Sequence, residues 1–224
     1  MATEYTESIE QLLKEILPHL PGVIRSVAAQ EIRDAMREFF EKSHAWVKVV
    51  EDIAISTGDT AIQLTDGDAN TEIIHILGLK YGNDTDGYTP LAQSIDEPNL
   101  IEGGTGAPSY WYVTSNPDEV KLHPYQSAAT TDTLRAKVAL IPSATVAVNE
   151  LDLPRQITLK FKEAIKDLTL ARLYMQPAKP YSQPVLATQL RNRGLKAAGY
   201  YAAQRKKGFN NTPAWRYPAG WSKR

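Results

Sequence analysis

Histidines, serines and carboxylates are the side chains that most often carry chemistry, and here none of them has the spacing that a reaction needs. The four histidines, His19, His44, His75 and His123, form no metal-binding pair and no HExxH motif. No GxSxG motif is present, and Ser, His and Asp follow no order typical of a catalytic triad. The sequence therefore predicts no metal, no cofactor and no nucleophilic active site.

One acidic turn imitates the start of a calcium-binding loop and then departs from it. Asp66, Asp68 and Asn70 match the first three ligand positions. Thr71 stands where the loop needs glycine for its sharp turn, and Leu77 stands where it needs a bidentate glutamate. We interpret the segment as a polar turn rather than as a calcium site.

Adjacent carboxylates are the only feature compatible with hydrolysis. Asp96 with Glu97 and Asp118 with Glu119 both lie in the acidic part of the chain. A glycosidase needs two carboxylates about 5–10 Å apart in a cleft, which adjacency in sequence does not demonstrate. The prediction is that the protein is not an enzyme, with a hydrolase of cell-wall sugars as a minor alternative.

The chain has 224 residues and no cysteine. It is long enough to bury a core without disulfides or a structural metal, and it can hold no thiolate nucleophile and no cysteine-ligated zinc. No apolar run reaches the ~18 residues that a membrane-spanning helix needs, and the acidic N-terminal segment does not resemble a signal peptide. We expect a soluble protein, made in the cytoplasm, that contacts no membrane.

The formal net charge of −1 hides a strong asymmetry along the chain. Residues 51–120 contain thirteen acidic residues and one basic residue, a net charge of −12. Residues 168–224 contain eleven basic residues and no acidic residue, a net charge of +11. This separation indicates either a surface for a partner of opposite charge, or two regions that neutralise each other within one chain or between copies. Both interpretations stay open at this point.

Helical periodicity marks the N-terminal part of the chain. Thr6 is predicted to cap a short helix that ends before Pro18. A longer helix is predicted over 23–43, with an apolar stripe that runs from Ile24 to Phe39 at helical spacing.

Two further helices are predicted near the C-terminus. The first begins with Pro154 as its first helical residue and runs to Met175. The second begins near Pro184 and continues through Tyr201. This helix contains two glycines, Gly194 and Gly199. Each glycine either weakens the helix by about 1 kcal/mol or allows a neighbouring helix to approach closely.

Between these helical regions the period changes to the alternation of strands. Six short segments between Trp46 and Ile141 alternate apolar and polar residues, with turn-rich stretches between them. The clearest segment has Leu134, Ala136 and Val138 on one face. Five to seven strands at this spacing favour an antiparallel sandwich or a small barrel.

The order of elements predicts an α+β fold. The N- and C-terminal segments form a helical bundle, an antiparallel β block is inserted between them, and an extended tail follows. The predicted division is 1–45 for the first half of the bundle, 46–152 for the β domain, 153–207 for the second half and 208–224 for a docking tail.

The last quarter of the chain interleaves basic and aromatic residues. Such a segment binds nucleic acid through phosphates and base stacking, or it anchors a protein interface, where Trp, Tyr and Arg are the commonest hot spots. The prolines of the tail prevent a helix that could bury its tryptophans, so we favour a protein groove over DNA. The candidate docking residues are Phe209, Trp215, Arg216, Tyr217, Trp221, Lys223 and Arg224.

Three stretches together resemble the head-to-tail connector (adaptor) proteins of tailed bacteriophages. They are PGVIRSVAAQEIRDAMREFFEKSHAW at 21–46, TLRAKVALIPS at 133–143 and ARLYMQPAKPYSQP at 171–184. With the order of the elements and the aromatic basic tail, the resemblance extends over nearly the whole chain.

The resemblance implies a structural protein of the virion neck that forms a ring, commonly of twelve copies, between the portal protein and a downstream tail or neck protein. The ring would close the packaged capsid and give DNA a channel without sequence specificity, and the C-terminal tail would dock on the portal. The alternative is a nucleic-acid-binding protein that uses its basic C-terminal quarter. The candidate ring-interface or DNA-facing residues are Arg25, Arg33, Arg37, Arg191, Arg193, Lys196, Arg205, Lys206 and Lys207.

Overall fold

The computed structural model describes residues 6–56, 61–94, 106–124, 132–148 and 151–207. Helices lie near both ends of this span and strands lie mainly between them, so the predicted α+β fold is confirmed. The candidate docking residues between Phe209 and Arg224 lie outside the described residues.

The helices form a bundle from the two ends of the chain. Their bounds are α1 Glu10–Ile16, a 3-10 turn Leu17–His19, α2 Arg25–Ser43, α3 Arg155–Tyr174 and α4 Pro184–Lys207. α3 packs against both α2 and α4, and α2 also contacts α4. Residues that are far apart in sequence therefore share one helical core.

The strands are β1 Thr6–Ser8, β2 Val47–Ala54, β3 Ile62–Gln63, β4 Thr71–Asn83, β5 Gly87–Pro90, β6 Ala92–Gln93, β7 Tyr110–Val113, β8 Glu119–His123, β9 Thr133–Pro142 and β10 Asp152–Pro154. The main sheet has the order β2–β9–β4–β5 and is antiparallel throughout. The second sheet has the order β3–β8–β7–β6 and is antiparallel except for the parallel β6–β7 pair. Within the described residues these strands form two separate four-stranded sheets and no closed barrel, so the small-barrel alternative is wrong.

A two-stranded sheet joins the start of the chain to the start of α3. In it Thr6 pairs with Pro154, so Thr6 lies in β1 and does not cap α1. Ile9 precedes α1 and makes no side-chain capping bond. Pro154 has an extended ψ of 124° and is the last residue of β10, so α3 begins one residue later than predicted.

The apolar stripe of α2 lies at the centre of the core. Ala28, Ile32 and Phe39 are completely buried, as predicted. Ile24 is 67% exposed, because it precedes the helix in an extended conformation with ψ of 127°. Met175 is 55% exposed for the same kind of reason, since it follows the last residue of α3. The predicted stripes are therefore wrong at these two ends.

An aromatic cluster joins the bundle to the main sheet. The ring of Phe161 in α3 lies 5.2 Å from that of Phe39 and 4.8 Å from that of Tyr201 in α4, measured between centroids. Phe40 packs edge-on against Trp46, which immediately precedes β2, at 5.5 Å. Aromatic pairs at these distances stabilise a core beyond the area that they bury.

The central strand β9 alternates between buried and less buried residues only in its first half. Leu134, Ala136 and Val138 are completely buried, as the alternation predicted, while Lys137 between them is exposed. Ala139 is also completely buried. Residues 138–142 are all buried, so both faces of the strand are covered in its C-terminal half and the alternation ends there.

Candidate interaction surfaces

The candidate arginines at the start and middle of α2 have partners within the chain. Arg25 forms an ion pair with Glu10 of α1. Arg33 donates hydrogen bonds to the carbonyl oxygens of Ala144 at 3.1 Å and Val146 at 2.9 Å. These bonds hold the segment after β9 against α2.

Arg37 is the third α2 candidate and belongs to a polar network at the start of β4. Both of its terminal nitrogens lie 3.0 Å from Oε2 of Glu72. The other carboxylate oxygen accepts bonds from the backbone N–H of Ala144 at 2.6 Å and from the hydroxyl of Ser143 at 3.2 Å. Partial burial alone raises the pKa of Glu72, but these hydrogen bonds outweigh it and hold the pKa below its ordinary value.

Arg172 and Arg191, on α3 and α4, pair with an acidic face of α2. Nε of Arg172 lies 2.7 Å from a carboxylate oxygen of Glu31. Its terminal nitrogens lie 3.4 Å from Asp34 and 3.5 Å from Glu38. Arg191 reaches Glu38 at 3.1 Å. The three carboxylates lie three or four positions apart, which places them on one face of the helix.

The ion pair of Arg193 joins an exposed guanidinium to a buried carboxylate. Its side chain is 67% exposed, whereas that of its partner, Asp167 of α3, is only 6% exposed. Both carboxylate oxygens accept hydrogen bonds from the guanidinium. These bonds raise the pKa of Arg193, and the pairing satisfies a carboxylate that the helices have largely removed from water.

The basic C-terminal helices are thus neutralised mainly by α2 and by Asp167. Among the described residues, no ion pair joins the acidic segment 51–120 to a residue of 168–207. The interpretation that the two regions neutralise each other within one chain therefore does not hold for these residues.

An excess of carboxylates surrounds one guanidinium at the far end of the main sheet. Arg135 of β9 lies 2.7 Å from Asp84 and 3.9 Å from Glu51. The amide of Asn83 donates to Asp86 at 3.0 Å and to Asp132 at 2.6 Å. We call this group the acidic end of the main sheet: Glu51, Asp52, Asp84, Asp86 and Asp132 around Arg135.

A cationic cavity of about 310 Å³ lies where the bundle meets the main sheet. Its charged residues come from three elements: Lys137 of β9, Lys160 of α3 and Arg205 of α4. Lys160 lies 5.3 Å and 5.8 Å from the ring centroids of Phe161 and Tyr201. We call this site the junction cavity, and it places positive charge beside aromatic surface.

Two stacked histidines adjoin the junction cavity. His44 follows α2 with a left-handed φ of 46°, and its ring lies 5.0 Å from that of His75 in β4. A terminal nitrogen of Arg205 lies 3.5 Å from Nδ1 of His44. His75 stays partly in contact with solvent; the partial desolvation of its ring lowers its pKa, and the positive charge of Arg205 lowers it further.

The remaining ring-interface or DNA-facing candidates lie on α4. Lys196 is exposed in the middle of the helix, and Lys206 and Lys207 are its last two residues. The helix ends at the same end of the bundle as the β block, because Arg205 lies beside His44. Lys207, the last described residue, therefore lies at this end of the bundle.

Sequence reasoning missed two of these surfaces. The junction cavity has no sequence motif, because three separate elements supply its charges. The opposite end of the bundle exposes three apolar side chains: Ile24 by 67%, Met175 by 55% and Val185 by 78%. The available signal was that these apolar residues lie at helix ends, within three residues of a proline.

A comparison with protein families identifies the family of this chain. A family model described as SU10 adaptor protein matches residues 4–217. The chain belongs to this family. It is a family of phage head-to-tail adaptors, so the resemblance found in the sequence is confirmed and the protein is a structural adaptor of the phage. No curated protein matches this chain.

Two features are absent from the described residues. No group of three or more His, Asp or Glu side chains is arranged to hold a metal ion in that part of the chain. None of the helices in the described ranges is long and apolar enough to cross a membrane.

Proposed function

We propose that this SU10 adaptor forms a ring in the virion neck, between the portal protein and a downstream tail or neck protein. The ring closes the packaged capsid and surrounds the channel through which DNA leaves. The observation that carries this proposal is the match of one adaptor family model to residues 4–217 of a 224-residue chain. Because the match includes both the bundle and the β block, the whole chain serves this one role.

Ring formation is supported by the separation of charge in the fold. The acidic end of the main sheet and the junction cavity are distinct surfaces of opposite sign. A contact between two different patches on successive copies is heterologous, and it closes into a ring when the rotation between copies allows. A ring of twelve copies is the number that the adaptor resemblance implies.

The C-terminal tail supplies the contact with the portal in this proposal. Residues 208–224 carry Trp215, Tyr217 and Trp221 among basic residues. Aromatic side chains and arginine are the commonest anchors of protein interfaces, where they fill pockets on the partner. The exposed apolar end of the bundle is a second surface that a neck protein can cover.

The nucleic-acid-binding alternative has less support. Arg172, Arg191 and Arg193 are paired with carboxylates of the same chain, so they are poor contacts for phosphate. In the proposed ring, DNA passes through the lumen without sequence specificity and contacts only cations that lack such partners. Lys196 is the clearest of these, because it is exposed on α4.

Immunogold labelling of native particles with antibody against this chain tests the proposal. The expected result is label at a single vertex, between head and tail. A chain truncated after Lys207 should be missing from particles, whereas a Lys196→Ala chain with the complete tail should be incorporated normally. Label absent from particles, with all of the protein free in the lysate, would contradict the proposal.

A further inference from the structure

The junction cavity holds three cations that lack acidic partners. Lys137, Lys160 and Arg205 line it, and none of them forms an ion pair with a carboxylate in the part of the chain that the structure describes. Nε of Arg205 is buried without a hydrogen-bond partner in the same residues. Positive charge gathered in this way, beside aromatic rings, is stabilised when an anionic group enters the cavity.

From this arrangement we propose that the junction cavity of one copy receives the acidic end of the main sheet of a second copy. The proposal rests on the proposed ring and specifies one of its contacts. The turn between β4 and β5 is the protruding part of the acidic end, where Asp84 is 80% exposed and Asp86 is exposed. A convex acidic turn fits a concave cationic cavity in both shape and charge.

The junction cavity and the acidic end lie at different positions along β9, so the proposed contact joins two copies of the chain. Lys137, at the cavity, pairs with Val49 of β2. The acidic end lies beyond Thr133, which pairs with Gly82 of β4. Four residues of strand separate the two positions by roughly 13 Å, and Asp84 is paired with Arg135 at the acidic end, so the acidic turn of a chain is held away from the cavity of that chain. The contact is therefore heterologous.

An acidic protein surface fits this cavity better than DNA does. Duplex DNA presents a convex, regularly spaced row of phosphates, which proteins contact with cations on an open surface. The cations here line a cavity of about 310 Å³ whose floor includes Phe161 and Tyr201. The chain itself supplies an acidic surface of five carboxylates: Glu51, Asp52 and Asp84 interact with Arg135, and Asp86 and Asp132 accept hydrogen bonds from Asn83. Lys80 pairs with Arg135 across β4 and β9, so the carboxylates still outnumber these two cations.

Reciprocal charge reversal in the full-length chain tests the contact. Variant one carries Lys160→Glu and Arg205→Glu, and variant two carries Asp84→Lys and Asp86→Lys. We expect each variant alone to self-associate at least about tenfold more weakly than the wild type in sedimentation velocity at low salt. An equimolar mixture should associate like the wild type, because each reversed surface then meets a complementary one.

Lys14→Glu is the matched control, since Lys14 is an exposed α1 cation outside the cavity. It should associate like the wild type. If the double variant Asp84→Lys, Asp86→Lys does not fold, Asp86→Lys alone replaces it, because this single substitution leaves the Arg135–Asp84 pair intact. A monomeric wild type at every concentration, a mixture that associates no better than its components, or an equal loss in Lys14→Glu overturns the proposal.

A photo-crosslinking amino acid at Gln204, which lines the cavity, identifies what enters it. Isotope-labelled and unlabelled chains are mixed, so a crosslink between copies is distinguishable by mass. We expect crosslinks between copies that map to the β4–β5 turn. Crosslinks that form only within one chain, or only to an added DNA duplex, contradict the contact. Neither result changes where antibody labels the particle, so the proposed function is tested separately.

Discussion

Gly194 of α4 lies directly against Leu168 of α3. A Cβ atom at position 194 would lie 2.6 Å from Cγ of Leu168, closer than nonbonded carbon atoms approach. The two helices therefore cross closely because this position has no side chain. Of the two glycines that the sequence offered for such a contact, Gly199 has no atom within 4 Å of the corresponding position.

The two glycines should respond in opposite ways to alanine. Gly194→Ala forces Leu168 or the helix to move, and we expect it to lower the free energy of unfolding by about 1–3 kcal/mol. Gly199→Ala adds a better helix former in open space and should raise it by about 0.5–1 kcal/mol. Urea denaturation of both variants measures the difference. Stabilisation by both substitutions would show that α3 and α4 do not pack as described.

Removing Arg193 should cost more stability than removing Arg191. Arg193→Ala leaves the buried carboxylate of Asp167 without its partner, and we expect a loss of about 2 kcal/mol. Arg191→Ala should change stability by less than about 0.5 kcal/mol, because the Arg191 side chain is 59% exposed and the largely buried Glu38 keeps Arg172 as a partner. Denaturant melts of the two variants check this order. Equal losses would contradict the assigned role of Asp167.

Glu72 should make the protein sensitive to acid. Its folded pKa lies below its ordinary value of 4.5, so the unfolded chain takes up a proton at a higher pH than the folded chain does. The stability from the charged carboxylate is therefore complete above pH ~4.5 and is lost as pH falls through the lower, folded pKa. Glu72→Gln should cost about 1 kcal/mol at pH 7 and should flatten the melting temperature between pH 5 and pH 3.

The exposed α2 residue Glu41 offers the control for this acid profile. Glu41→Gln should leave both the stability at pH 7 and its decline below pH 5 unchanged. If Glu72→Gln retains the full acid sensitivity of the wild type, the network around Ser143 and Ala144 is not its source.

Much of the fold was predictable because its periodicities are local. The stripe from Ala28 to Phe39 and the alternation around Leu134 each need only neighbouring residues to be recognised. The β1–β10 sheet was not predictable, because Thr6 and Pro154 pair across most of the chain. Strands of three residues carry no periodicity, and the side chain of Thr6 gave a competing signal for a helix cap.

The charge asymmetry was predictable, but the partners of the charges were not. The sequence shows a basic C-terminal quarter, yet Arg172 finds its carboxylates on α2, about 140 positions earlier. The spacing of Glu31, Asp34 and Glu38 on one helical face was the available signal for this pairing. The junction cavity exists only after β9, α3 and α4 come together, so no segment of the sequence indicates it.

The stacked histidines should give a second pH dependence, close to neutral pH. The folded pKa of His75 lies below its ordinary value of 6.5 because of burial and Arg205, so only the unfolded chain gains this proton as pH falls through about 6.5. Stability should therefore decline from pH 7 toward pH 5.5, before Glu72 begins to titrate. His44 and Arg205 are the groups that face the ring. His75→Asn should reduce the decline in melting temperature over this range. The control variant His19→Asn alters an exposed residue and should not reduce it. An unchanged profile in His75→Asn would assign the effect to another group.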